Sequence, residues 1–119
     1  MEKNTLHTNA APAAIGPYSQ AVRAGSLLFV SGQIPLDPAS GQLVENTIQA
    51  QAARSLENLK AILTQAGGTL DNVVKTTVFL KDMEDFVEMN RVYKTYFPEN
   101  SKQSVKTGGQ LLTIIKLWA

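Results

Sequence analysis

The 119-residue chain has no cysteine and one histidine, His7. The first absence excludes disulfides, thiol nucleophiles and thiolate-bound metals, and leaves the redox compartment open. The second excludes a multi-histidine metal site within one chain, so no metal is expected. No apolar run approaches the roughly 20 residues of a membrane helix, and no membrane partner is expected. The opening residues, "MEKNTLHTNAAPAA", lack the apolar segment of a secretory signal, which makes a cytoplasmic protein the default and an organelle the other choice. Charge is scarce as well. Eleven Lys and Arg face ten Asp and Glu, a net charge of +1, which gives little steering toward nucleic acid or anionic lipid. With no basic, aromatic-rich patch, nucleic acid is not an expected partner. After Glu99 there is no acidic residue, so the last twenty residues carry +3 from Lys102, Lys106 and Lys116, while the first 99 carry 8 basic against 10 acidic residues, or −2. A solvated basic edge accounts for so short an excess.

What is present suits one domain spanning residues 1–119. Hydrophobic residues make up 44% and charged residues 18%, enough for a single core. The segment Ala10–Pro17 is small and proline-rich, an ordered arm or loop rather than a helix. Tyr18 to Arg23 and Leu27 to Gln33 read as strands joined by a tight turn at Ala24-Gly25-Ser26, where glycine can take positive φ. "DPASGQL", Asp37 to Leu43, is loop chemistry. Asn46 or Thr47 caps a helix, with Gln49 placed as in a capping box after Asn46. Ile48, Ala52, Leu56, Leu59 and Leu63 give that helix one apolar face to about Ala66, and Gly67-Gly68 ends it. Val73 to Lys81 reads as a strand with Val74, Thr76, Val78 and Leu80 on one face and Lys75, Thr77 and Phe79 on the other. Asp82 or Asp85 opens a second helix that buries Phe86, Met89 or Asn90, Tyr93 and Phe97 before Pro98 stops it. Thr113 to Trp118 reads as a last strand.

The order ββαβαβ predicts an α+β fold, a mixed sheet of four to six strands with both helices on one face and a right-handed crossover. The opposite face, with Phe29, Thr77 and Phe79, is too apolar for water, which predicts packing of sheets from several subunits in a closed ring. The stretch "FVSGQIP", residues 29–35, carries the functional question. Leu27 to Val30 reads as a strand buried on both faces, and it runs into a hydroxyl, a glycine and an amide. Polar groups at the end of a buried strand need partners, either backbone or a ligand.

At "AIGPYSQAV", "SGQIPLDP", "GGTLDNVVKTTVFLKDMEDFVEMNRVY" and "YFPEN" the chain resembles the RidA (YjgF) family of reactive-intermediate deaminases, over residues 5 to about 100. The resemblance implies a chorismate-mutase-like fold and a homotrimer, with sheets forming an inner barrel and ligand clefts between subunits. It implies hydrolysis of 2-imino acids such as 2-iminobutanoate and 2-iminopropanoate, and of their enamine tautomers, to 2-keto acids and ammonia, with no metal or organic cofactor. Some family members are called translation inhibitors or endoribonucleases. By motif match, Tyr18 lies over the ligand, Ser31 and Gly32 form the loop that receives it, Gln33 supports that loop, and Asn90 stands behind. Each has a plainer role open to it. Ser31 can bond backbone at a strand end, Tyr18 can be an interface aromatic, and Gln33 and Asn90 can be structural hydrogen-bonders. Arg23, Arg54 and Arg91 read as surface or interface residues, and His7 as exposed.

After Asn100 the text "SKQSVKTGGQLLTIIKLWA" departs from the family's ending. Gln103 stands where the carboxylate-binding arginine belongs if Ser104 matches the family serine, and Ile114 or Lys116 stands where the water-handling glutamate belongs. The catalytic residues are therefore unassigned. A divergent member, a lysine (Lys102 or Lys106) in place of the arginine, and a shifted reading frame all fit this ending. The alternative function is a non-catalytic member that binds small 2-keto or related carboxylic acids, and the third is an endoribonuclease or translation inhibitor.

Overall fold

The computed structural model describes residues 2–98 and the backbone of 113–117. Five strands form one mixed sheet: β1 (Lys3–Leu6), β2 (Ala21–Ala24), β3 (Leu27–Gln33), β4 (Thr76–Leu80) and β5 (Thr113–Leu117). Their order is β1-β2-β3-β5-β4. The pairs β1–β2 and β2–β3 are antiparallel, and β5 lies parallel to both β3 and β4. Two helices, α1 (Ile48–Gln65) and α2 (Phe86–Tyr96), complete an α+β fold. Trp118 lies outside the described residues.

The predicted elements form where their chemistry places them, with shifts that have local causes. β2 begins at Ala21 rather than Tyr18, because Gly16 takes φ 101° and Tyr18 donates its N–H to the Gly16 carbonyl at 2.9 Å, turning the chain out of the ladder. Gly25, at φ 61°, supplies the positive angle of the β2–β3 hairpin. Thr47 caps α1 by accepting the Ala50 N–H, and the capping box centred on Asn46 does not form. Asn46 instead accepts from Gln51, and Gln49 reaches Glu88 on α2. Gly67, at φ 85°, ends α1: the Gly68 N–H bonds the Leu63 carbonyl and the Gly67 N–H bonds Thr64, a Schellman arrangement. β4 is shorter than predicted, and Val74 lies exposed outside it. A 3₁₀ turn at Met83–Asp85, capped by Asp82, leads into α2. β1, with the polar sequence KNTL, is an edge strand that periodicity does not reveal.

The five apolar positions predicted on α1 are all buried, together with Ile62, and pack against Ala21, Val30 and Val78 of the sheet and Met89, Tyr93 and Phe97 of the second helical segment. Phe86, expected in this core, is exposed instead. The buried Tyr93 hydroxyl meets Thr76 Oγ1 at 2.6 Å, and its burial raises the phenol above its ordinary pKa. Helix α1 also buries a polar stripe of Gln51, Ser55 and Asn58. Asn58 Nδ2 donates to the carbonyls of Ile34 and Leu36, at 3.2 and 3.0 Å, which ties the segment after β3 to the helix. The expectation that Leu27–Val30 is buried on both faces fails within one chain. Val30 is buried against the helices, whereas Leu27 and Phe29 are 48% and 43% exposed on the opposite face, joined there by Phe79 at 41%. Thr77, predicted on that same face, is buried.

Candidate functional site

The end of β3 explains the odd composition of "SGQIP". Val30 pairs with Thr113 and Gln33 with Ile115, so three steps along β3 match two along β5. The extra residue makes a β-bulge at Ser31-Gly32, a device that bends a strand and re-aims its side chains.

The bulge is stitched to the chain that carries Tyr18. The Ser31 hydroxyl donates to the Ser19 carbonyl at 2.6 Å, and the Ser31 N–H donates to the Gln20 carbonyl at 3.0 Å. Gln33, itself buried, donates its amide to the Ser31 carbonyl at 3.0 Å. These bonds answer the question set by the sequence in part. The Ser31 hydroxyl hydrogen is spent on backbone, and the two lone pairs of its oxygen are what it can still offer a ligand.

Beside the bulge lies a small cavity of about 60 Å³, lined by the arm residues Pro12 to Ile15, by Tyr18 and Gln20, and by the Gly32–Ile34 segment with Leu36. The structure thus brings together Tyr18, Gly32 and Gln33 of the five predicted site residues. Ser31 holds the frame but is not in the lining, and Asn90 sits half-buried on α2, also outside it. Tyr18 is 54% exposed, so one side of its ring faces outward from the chain. Among the described residues no charged side chain lines this cavity, which suits the uncharged end of a ligand. Gln103, Ser104, Lys102 and Lys106 lie outside the described residues, and Ile114 and Lys116 are placed only as backbone, paired with Thr77 and Phe79.

Sequence reasoning passed over Gln20 and the arm as parts of the site. The signal available was the proline-rich spacing of "AAPAAIGP" directly before Tyr18. A larger groove of about 350 Å³ opens elsewhere, between the β2–β3 hairpin and the end of α1, and shares no residue with the smaller cavity. Among the described residues its one charged group is Arg23, whose guanidinium donates to the Ala66 carbonyl at the end of α1, a cation at the negative end of the helix. The other polar side chains described there are those of Ser26 and Asn72, with no carboxylate or imidazole to activate them, and the groove is a poorer candidate for chemistry. Arg54 bonds Asn58, Arg91 pairs with Glu88 on the surface, and exposed His7 bonds Asn9. Among the described residues no three metal-ligating side chains come together, and no helix is long and apolar enough to cross a membrane.

Comparison with known proteins adds a relationship to this geometry. A family model described as endoribonuclease L-PSP matches residues 8–110, ten residues beyond the point where the quoted motifs end. A RutC family protein of Pyrococcus abyssi is 50% identical over 105 residues, covering 88% of this chain and 83% of the relative. A mouse protein named 2-iminobutanoate/2-iminopropanoate deaminase is 53% identical over 95 residues, 80% of this chain and 70% of the mouse protein. Among solved structures, Escherichia coli TdcF with bound serine superposes with a TM-score of 0.77 at 40% identity, covering 98% of this chain and 85% of TdcF.

Proposed function

The chain belongs to the YjgF/RidA family, whose model bears the description endoribonuclease L-PSP, and from that membership we propose that it hydrolyses short-chain 2-imino acids and their enamine tautomers to 2-keto acids and ammonia. The observation that carries the reading is the cavity at the β3 bulge, where Tyr18, Gly32 and Gln33 meet around an uncharged, partly apolar space. Such a space receives the aliphatic end of a small imino acid, and the Tyr18 ring covers it. The name of the mouse relative supports the same substrate class.

In this reaction water adds to the C=N carbon, a proton passes to nitrogen, and ammonia leaves as the carbonyl forms. The site must hold the substrate carboxylate, orient the water and accept its proton. Among the described residues the cavity lining offers Tyr18 and two amides and no cation, so the carboxylate is held by groups beyond them. We place those groups on a neighbouring copy. The exposed Leu27, Phe29 and Phe79 give each chain an apolar sheet face to bury, and a homotrimer with a chorismate-mutase-like arrangement of sheets inside and helices outside would close the cleft from the Tyr18 side. In that shared cleft we assign Tyr18, Gly32 and Gln33 to the ligand wall, Ser31 to the frame that holds it, and Asn90 to a place behind it.

The test is a coupled assay in which a threonine dehydratase generates 2-iminobutanoate and its loss is followed. Added protein accelerates the loss if the reading holds; a rate equal to the buffer control sinks it. A second reading is favoured by Gln103 at the expected arginine position: a member that binds small carboxylic acids without turnover. A thermal shift with 2-ketobutyrate in an inactive protein would support it.

A further inference from the structure

Gln20 is 3% exposed and makes four hydrogen bonds, all to one stretch of backbone. Its Oε1 accepts the Thr8 N–H at 2.7 Å. Its Nε2 faces the carbonyls of Thr8 at 3.0 Å, Ala11 at 3.3 Å and Pro12 at 2.8 Å. Two N–H hydrogens serve three acceptors, so one bond is shared. The stretch from Thr8 to Ile15 belongs to no strand or helix. Apart from buried Ala11, little apolar surface anchors it. The same Gln20 gives its backbone carbonyl to the Ser31 N–H of the bulge. One residue therefore ties the arm through its side chain and the bulge through its main chain, and both line or frame the cavity.

We propose that Gln20 is a positioning residue for substrate binding: its buried amide fixes the arm against the β3 bulge, and the fixed arm sets the size of the aliphatic group the cavity accepts. This rests on the deaminase reading above. Nothing in Gln20 takes part in proton transfer, since an amide has no titratable proton at working pH. Its effect passes through the arm residues Pro12 to Ile15, which form one wall of the cavity. At about 60 Å³ the cavity has room for roughly four water-sized groups, taking about 15 Å³ for each. That matches side chains of up to about four carbons and rejects longer ones for as long as the wall stays put.

The experiment replaces Gln20 by Met in the full chain, which preserves length and apolar volume and deletes the four bonds. Two readouts are taken: amide exchange of Thr8, and the kinetics of loss of 2-iminobutanoate and of the longer 2-iminooctanoate, whose side chain has six carbons. We expect Thr8 exchange to quicken about tenfold or more, the equivalent of losing one such bond, with the α1 core amides of Leu56 and Leu59 unchanged. KM for 2-iminobutanoate rises about fivefold to tenfold while kcat stays within about twofold, the pattern of lost binding without lost chemistry. The preference for the shorter substrate narrows. Unchanged Thr8 exchange, or an unchanged KM and an unchanged preference, overturns the proposal. Quickened exchange throughout α1 also overturns it, because Gln20 is then only a folding residue. If the variant does not fold, wild-type protein decides: 2-ketobutyrate must slow Thr8 exchange, and no slowing overturns the proposal. A wild-type chain that binds 2-ketobutyrate and slows Thr8 exchange, yet hydrolyses no imine, defeats the deaminase reading and leaves the Gln20 clamp standing.

Discussion

The two faces of the sheet are made from the same strands and have opposite fates. On one, Val30 and Val78 are sealed beneath Leu56, Leu59 and Ile62 of α1. On the other, Phe29 and Phe79, neighbours in sequence to those two valines, keep much of their surface in water. Strand alternation makes this contrast unavoidable: a side-chain period of two sends every second residue away from the helices. A sequence that puts valine on the helix side of its sheet and phenylalanine on the other is suited to two kinds of cover, one intramolecular and, in the proposed trimer, one supplied by neighbouring copies. The helix side is therefore where substitutions cost folding energy, and the open side is where they should cost assembly of that trimer.

The largest expected effect is on the helix side. Leu59→Ala removes a fully buried side chain from the centre of α1 and should cost about 3 kcal/mol, within the ~2–5 kcal/mol seen for such truncations. Chemical denaturation at fixed protein concentration measures it. A loss below about 1 kcal/mol would place the core somewhere other than under α1. Next is the buried polar stripe. Asn58→Ala deletes the donors to the Ile34 and Leu36 carbonyls and should cost about 1 to 2 kcal/mol, because these part-buried acceptors lose that donor, the Ile34 carbonyl keeping only the Leu36 N–H. It should also loosen the segment after β3, read as faster amide exchange near Leu36. The open face comes third. Phe29→Glu should change the stability of the single folded chain by no more than about 0.5 kcal/mol, as at other exposed positions. It should, however, reduce the sedimenting mass of the proposed trimer to one chain. A wild-type protein that already sediments as a folded monomer removes the contrast altogether, and the shared cleft with it.

How much of this was legible in the sequence follows the same division. Positions 48, 52, 56, 59 and 63 announce the apolar face of α1 by spacing alone, and Gly67 announces its end, because both rest on contacts within a few residues. The second, polar stripe of that helix is invisible in sequence. Gln51, Ser55 and Asn58 look solvent-facing until α1 lies against the carbonyls of residues 34 and 36. The Asn46–Gln49 capping box fails for a related reason: Gln49 finds Glu88 across the α1–α2 seam. At the site, "SGQ" reads as a polar strand end needing partners. The bulge that gives it shape depends on register with β5, some eighty residues further along, and the hydroxyl of Ser31 is claimed by the main-chain carbonyl of Ser19, a partner that carries no residue identity. Gln20 was hidden because its partners are main-chain groups, which carry no residue identity.

The smallest effect at neutral pH is also the one that tests the helix side without touching its apolar packing. Tyr96, the last residue of α2, has its phenol pushed up to about 12, first by burial and then by the neighbouring Glu57 carboxylate of α1. In the unfolded chain the same group titrates near 10. A raised folded value means the native state holds the proton more firmly, so this contribution is fully present below about 10 and is lost as pH rises from about 10 through about 12. Tyr96→Phe should leave the urea midpoint at pH 7 to 9 nearly unchanged and flatten its fall above pH 10. Tyr93, raised in the same direction, keeps part of the slope. An alkaline decline identical in wild type and variant would show that Tyr96 is not held against Glu57. The decline should also be independent of protein concentration, since the α1–α2 seam lies within one chain. A decline that steepens on dilution would instead trace the alkaline loss to separation of the open sheet faces.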